Sequence, residues 1–321
     1  MRSIDAVYTW VDDSDEAFRA GRQLALSRVG CAGTQMEHQS SRFRDGGELR
    51  YSIRSLEQHA PWLRRIFLVT NGQRPHWLDN TSNRIVWVRH EDIFPDRGVL
   101  PTFNSNAIEM NLHRIPRLSE KFLYFNDDIF LGRPVTEADF LGGGHEMTHL
   151  EPIFLNEDLD PARPNDRACL YTLERLRERW GDIQFDRMPA HVPRLLDRTE
   201  LQKLEAEFPA EFAATRGHAF RTESDFVLKL AYAAQRQHAG HAFRNLEWGG
   251  ADYMLVLLTP DMIQSIRWFA QLLRQRPKMF CINDDLPEGL SGDVQRWLMR
   301  VCLQRFFPKP SSLELKSAGR Q

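Results

Sequence analysis

Short apolar runs alternating with amphipathic stretches restrict the possible folds of this chain more than any other feature. Residues 4–11 are rich in strand formers, and residues 66–70, 85–88 and 122–125 are apolar runs of the length buried in parallel sheets. Between them a helix is expected over 48–60, with Leu49, Ile53, Leu56 and Ala60 on one face and Pro61 ending it. Asp45 and Glu48 have capping-box spacing at its start. A second helix is expected from Ser105 to about Arg114, turning Ile108, Leu112 and Ile115 inward. Strands that alternate with helices require crossover connections, so the expected class is α/β with a doubly wound, mainly parallel sheet. Ligands collect at the carboxyl edge of such sheets.

Two apolar runs empty into the same acidic triplet. Residues 122–125 lead into Asn126-Asp127-Asp128, and residues 279–282 lead into Asn283-Asp284-Asp285. Asp12, Asp13 and Asp15 follow the first strand. Adjacent carboxylates at the end of a buried strand repel each other, and a hard divalent cation with oxygen ligands lets them stay ionised. Taken singly, each triplet is explained as well by a helix cap or a turn. Beyond about residue 150 the pattern is more helical: 151–166 reads as a connecting loop, and 169–180, 197–208 and 223–237 read as amphipathic helices. The strand around Cys281 is expected to return to the main sheet. A last helix, 291–307, stops at Pro308, and the tail after Pro310 is expected to fray.

With 321 residues and 42% hydrophobic content, the chain can bury one large core or two modest ones. Lys plus Arg (42) nearly balances Asp plus Glu (44), so no global field points to nucleic acid, although a local basic site remains open. Cys31, Cys169, Cys281 and Cys302 are far apart, with no zinc-like spacing, and read as reduced thiols of a cytoplasmic protein. No leader-like start and no membrane-crossing run is visible; peripheral association with the inner face of the cell membrane is compatible with that.

The order of motifs is more specific than any one of them. Residues 4–15 read Ile-Asp-Ala-Val-Tyr-Thr-Trp-Val-Asp-Asp-Ser-Asp. Then come Arg42-Phe43-Arg44-Asp45, Glu48-Leu49-Arg50-Tyr51-Ser52, Val69-Thr70-Asn71-Gly72-Gln73, and the ten residues 100–109 from Leu100-Pro101 to Ile108-Glu109, closing at Tyr124-Phe125-Asn126-Asp127-Asp128. Pro189-Ala190-His191-Val192-Pro193, His218-Ala219-Phe220-Arg221 and Cys281-Ile282-Asn283-Asp284-Asp285 follow. In this order they resemble the four signature regions of the Stealth proteins, sugar-phosphate transferases of bacterial capsule synthesis. Animal relatives of that family tag lysosomal enzymes with N-acetylglucosamine 1-phosphate.

The resemblance implies a nucleotide-sugar (GT-A-like) transferase core at 1–150, a mostly helical acceptor and catalytic region at 151–275, and a returning strand and helix at 276–321, all in one integrated catalytic domain. It implies transfer of a hexose 1-phosphate, with UDP-GlcNAc the first donor to try, to a hydroxyl of an acceptor glycan. A phosphodiester forms and a nucleoside monophosphate leaves. It implies catalytic roles for Asp5, Asp128, His191 and Arg221, and Mg2+ or Mn2+ held by Asp127 and Asp128 with Asp284 and Asp285 as further contributors. A histidine accepts a proton at little cost near neutral pH, so a general base is the natural role for His191, with covalent attack on phosphorus the alternative. Arg44, Asn71, Asn104, Asn106 and Glu109 are candidate donor contacts. Solvated arginines, helix capping and a tight turn explain these residues as well. Tyr8, Trp10 and Tyr51 are candidates to stack on a base or sugar, against core packing. A metal-dependent glycosyltransferase that releases a nucleoside diphosphate, and a binding protein without turnover, are the competing classes.

Overall fold

The computed structural model describes residues 3–29, 40–155, 157–183, 185–286 and 289–315. Cys31 and the last six residues of the tail lie outside these. The first half runs β1 (Asp5–Thr9), α1 (Glu16–Val29), α2 (Glu48–His59), β2 (Ile66–Thr70), β3 (Ile85–Arg89), α3 (His90–Ile93), α4 (Ser105–Glu109), β4 (Lys121–Asn126) and β5 (Ile129–Leu131). Then follow β6 (Leu141–Gly142), β7 (His145–Glu146), β8 (Thr148–Phe154), α5 (Pro164–Trp180), β9 (Arg187–Pro189) and β10 (Arg194–Asp197). The chain continues through α6 (Arg198–Glu207), α7 (Pro209–Gly217), α8 (Leu228–His238), β11 (Phe243–Asn245), β12 (Tyr253–Leu258), α9 (Met262–Gln275), β13 (Met279–Asp284) and α10 (Leu290–Phe306).

The main sheet has the order β10-β4-β1-β2-β3, parallel except for β10 at one edge. Successive side chains of a strand face opposite ways, and here each face meets its own helices. Ala6 and Tyr8 pack with Leu49, Ile53 and Leu56 of α2 on one side. Val7 packs on the other with residues of α5 and α8 such as Leu173 and Leu230. The doubly wound, mainly parallel arrangement expected from the alternating pattern is therefore present.

Several local expectations need correction. The spacing of Asp45 and Glu48 does not make a capping box: Gly47, in the left-handed region at φ 98°, stands at the helix start, and Asp45 Oδ1 accepts from its N–H. Glycine holds that conformation without the steric cost of a Cβ. Helix α4 ends at Glu109, five residues earlier than its apolar spacing predicts. The Cys281 strand does not join the main sheet; β13 pairs parallel with β12 and antiparallel with β5. Residues 148–154, partly assigned to a loop, form β8 between β11 and β9. The tail past Pro310 is anchored as far as it is described, because Glu314 is buried against Arg50 and Arg54. Cys169, Cys281 and Cys302 are buried and unbridged. Among the described residues, no helix is long and apolar enough to cross a membrane.

Asp5 lies at the amino end of β1, opposite Phe122, whereas Thr9 at the other end faces Asn126. Its carboxylate is fully buried and takes a two-pronged contact from Arg64, at 2.8 and 2.6 Å, and a third bond from the Ser119 amide. Asp5 thus ties the starts of three strands together. Replacing it with Asn should lower stability by about 1.5–3 kcal/mol, the scale of hydrogen bonds to a charged group, in urea unfolding. Activity per folded molecule should be unchanged.

Candidate functional site

The pairing of β5 with β13 decides what stands beside the first acidic triplet. Cys281 is in register with Ile129, and the Ile282 amide donates to the Asp128 carbonyl at 3.0 Å. The two Asn-Asp-Asp segments, far apart in sequence, are consequently neighbours. The Cys281 thiol donates to Asp128 Oδ2 at 3.3 Å. Burial, and then the charge of Asp128, push that thiol well above its ordinary range, so it keeps its proton.

Carboxyls converge here from three elements. Burial raises Asp127 well above the usual carboxylate range, and the negative charges of Asp128, Glu48 and Asp45 add to the effect. Glu48, at the start of α2, is pushed up to about 8 by burial and by Asp45 and Asp284. Burial also raises Asp128, against the opposing pull of His191 and Cys281. Asp284 is paired with Arg44 at 3.0 Å and approached by Arg296 at 3.8 Å. Asp285 is exposed beyond the end of β13.

A divalent ion can be tested against these donors. Asp128 Oδ1, Asn126 Oδ1 and Glu48 Oε2 are buried oxygens without a hydrogen-bond partner. Unsatisfied buried oxygens are costly, and a hard cation would satisfy them. Among the described residues, however, no group of three or more His, Cys, Asp or Glu side chains is arranged to hold a metal by itself. The donor set fits an ion such as Mg2+, which takes one or two carboxylates and completes its shell with water and phosphate oxygens.

His191 reaches the same place from another sheet. Strand β8 pairs antiparallel with β9, and the Ala190 amide donates to the His149 carbonyl at 2.9 Å, which brings the next residue alongside Glu151. His191 Nδ1 lies 3.3 Å from Glu151 Oε1, and the Tyr253 hydroxyl donates to Glu151 Oε2 at 3.2 Å. Glu151 is fully buried. Burial works to raise its pKa, yet the hydrogen bond and charge of His191, with Lys229 and Tyr253, hold it below the usual carboxylate range. An ionised carboxylate only accepts, so Nδ1 is the nitrogen that carries the proton, and in the neutral imidazole the free lone pair is the one on Nε2.

Other expected contacts are occupied differently. Asn104 caps α4 by accepting from the Asn106 amide at 2.9 Å, and both asparagines donate to Asp225 Oδ2 at 2.9 Å. Glu109 accepts from the Tyr124 hydroxyl at 3.2 Å and lies 3.5 Å from Arg194. Asn71 is exposed and closes a turn, accepting from the Gln73 amide at 3.3 Å. Tyr8 is core, stacked on Phe125 at 4.8 Å between centroids, and Trp10 and Tyr51 are buried too. Arg221 directs Nε and Nη2 at the Ser105 hydroxyl, at 3.1 and 2.5 Å. Its charge bears on Cys169, which also feels Lys229, and Lys229 in turn bears on Glu151. The direct partner of Arg221 is thus Ser105, and Asp5 stands at the opposite end of β1 from the acidic triplet.

Sequence reading missed Glu48, Glu151 and Tyr253. For Glu48 a signal existed: it precedes Leu49 on a helix whose buried face also carries Ser52 and Ser55, and polar residues on a buried face need partners. Glu151 stood at the edge of an apolar run and was assigned to a loop.

Family models for Stealth conserved regions 1, 2, 3 and 4 match residues 2–30, 42–148, 190–234 and 270–321. Two exopolysaccharide phosphotransferases of Streptomyces coelicolor are 38% and 40% identical over 98% and 97% of this chain, which covers 52% and 33% of their lengths. The exopolysaccharide phosphotransferase CpsY of Mycobacterium tuberculosis is 35% identical over 97% of the chain, with 58% of CpsY covered. The chain thus spans about half the length, or less, of these curated relatives. Among solved structures, the galactosyltransferase LgtC with donor and acceptor sugar analogues is 11% identical at a TM-score of 0.43, covering 96% of this chain and 97% of that one. The glycosyltransferase GlyE of Streptococcus pneumoniae, in its apo form, is 11% identical at 0.43, covering 99% and 66%. Matched in order by all four conserved regions, the chain belongs to the Stealth protein family.

Proposed function

We propose that this chain transfers a hexose 1-phosphate, specifically an N-acetylhexosamine 1-phosphate, from a nucleotide diphosphate sugar to a hydroxyl of an acceptor glycan in capsule or exopolysaccharide synthesis. The names of its relatives support a phosphotransferase. The observation that carries the reading is His191 held by buried Glu151 within electrostatic reach of Asp128. With Nδ1 engaged, Nε2 takes the proton of the acceptor hydroxyl as its oxygen bonds to the sugar-bearing phosphorus. The bond from that phosphorus to the bridging oxygen breaks, and a nucleoside monophosphate leaves. Asp127 and Asp128 would hold Mg2+ or Mn2+, which supplies charge neutralisation at the pyrophosphate oxygens. Arg44, at the rim of the carboxyl cluster, and Arg221, beyond Ser105, are assigned to donor phosphate oxygens.

A phosphorus NMR time course with UDP-GlcNAc, a divalent ion and a glycan acceptor should show a phosphodiester and UMP. Release of UDP would instead identify a glycosyltransferase, and an unchanged donor a binding protein. His191→Ala should slow transfer roughly 10²- to 10⁴-fold with donor affinity kept, because a positioned base contributes on that scale. Asp127→Ala and Asp128→Ala should each abolish metal-dependent turnover in a protein that still unfolds cooperatively.

The carboxyl cluster also makes a prediction about pH. Glu48 is raised from 4.5 to about 8 in the folded protein, so folding favours its protonated form. Its contribution is complete below the unfolded pKa and is lost as pH rises to the folded one. Without divalent ions, the Tm advantage of Glu48→Gln over wild type should grow from pH 5 to pH 8 and then level off. An advantage independent of pH would show that Glu48 does not titrate in this range.

A further inference from the structure

Helices α9 and α10 lie side by side on the β12-β13-β5 sheet, and both bury one face in the same apolar cluster. They run parallel and in step. Ser265 Oγ donates to Gln295 Oε1 at 2.5 Å, and Arg276 Nη2, eleven residues on, donates to the Phe306 carbonyl, again eleven residues on, at 3.3 Å. Their outer faces therefore point the same way. On α10 that face carries Leu290, Val294, Trp297 and Val301, spaced at four, three and four residues, which is one continuous helical stripe. Leu290 is 81% exposed and Trp297 56%. On α9, Ile263 and Ile266 are exposed beside it.

Charge is distributed along the same two helices. Arg267 near the middle of α9, Arg274 in its last turn, and Arg300, Arg305 and Lys309 on and just past the carboxyl half of α10 are exposed. The acids borne by the two helices themselves are engaged: Asp261 caps α9 by accepting from the Gln264 amide, and Asp293 pairs with Arg296. The face is thus apolar at one end and cationic at the other.

We propose that the outer face of α9 and α10 docks on an anionic lipid surface, with the isoleucines, Leu290, Val294, Trp297 and Val301 inserted at the acyl boundary and the arginines among the headgroups. A second copy of this chain is a poorer occupant, because a two-fold contact through this patch sets arginines either against arginines or against the apolar end of the partner copy, and in neither case against an anion. Trp297 and Val301 line a wide, open depression together with Arg300 and Arg305, which sets apolar and cationic groups side by side, and tryptophan favours the membrane interface. On the inner side of α10, Arg296 reaches Asp284, so docking would hold the carboxyl cluster close to the bilayer.

The test is sedimentation of the purified protein with phosphatidylcholine vesicles, with and without phosphatidylglycerol, followed by tryptophan emission. Wild type should bind only the anionic vesicles, with a blue shift absent from Trp297→Ser. Leu290→Glu/Val294→Glu and Arg267→Glu/Arg305→Glu should each weaken partition at least about tenfold, since each basic residue near such a surface contributes about 1 kcal/mol. All are exposed positions outside the site, so turnover on a soluble acceptor should persist, and loss of docking is thereby separable from loss of catalysis. Equal binding to neutral vesicles, binding that the substitutions leave intact, no binding to either vesicle, or a concentration-dependent dimer abolished by the same substitutions would each overturn the proposal.

Discussion

Like charge crowded into one partly buried space governs the arrangement around the ends of β4 and β13. Asp45, Glu48, Asp127, Asp128 and Asp284 act on one another there, and among the described residues only Arg44 and Arg296 form ion pairs with any of them. Carboxyl groups in such a setting either hold protons or gather cations. The fold can sustain the crowding because its backbone bonds are satisfied independently of it: β5 and β13 pair through main-chain groups, and α2 is held by Leu49, Ile53 and Leu56. Packing supplies the frame, and the acids are positioned by it at a cost to local stability.

His191 shows the complementary device. Its partner Glu151 lies in a strand of a separate sheet and is locked by Tyr253 from β12, so imidazole orientation is fixed by two further elements. A histidine left to its own rotamers would lose the directional lone pair that proton transfer requires. Residues 149–189, which carry Glu151, fall between the second and third matched regions of the family.

The sequence exposed the main sheet because hydrophobic period and turn residues coincide there. The runs 66–70 and 85–88 return as β2 and β3 nearly to the residue, since parallel strands buried on both faces leave an unbroken apolar signature. Sheet membership of the Cys281 strand was not legible, because an apolar run does not say which edge it will meet. The setting of Asp5 was not legible for a related reason. It stands in a signature motif, but a carboxylate at the amino end of β1 is as remote from the carboxyl edge as that strand permits, and Arg64, the partner that explains its burial, is 59 residues away. Asp127 and Asp128 were visible as a pair because they are adjacent in sequence; Glu48 and Glu151 join them only through tertiary contacts.

Strand β13 meets β5 across roughly 150 residues of intervening chain, a long loop to close before any contact rewards it. On a ribosome, Asp127 and Asp128 emerge long before Asp284, and the cluster stays incomplete until the last strand arrives. The main sheet can therefore form while its acidic edge is still open to water. The last of the acids, and the strand that packs against Asp128, come only at the final step of assembly, when enough core exists to withstand the crowding.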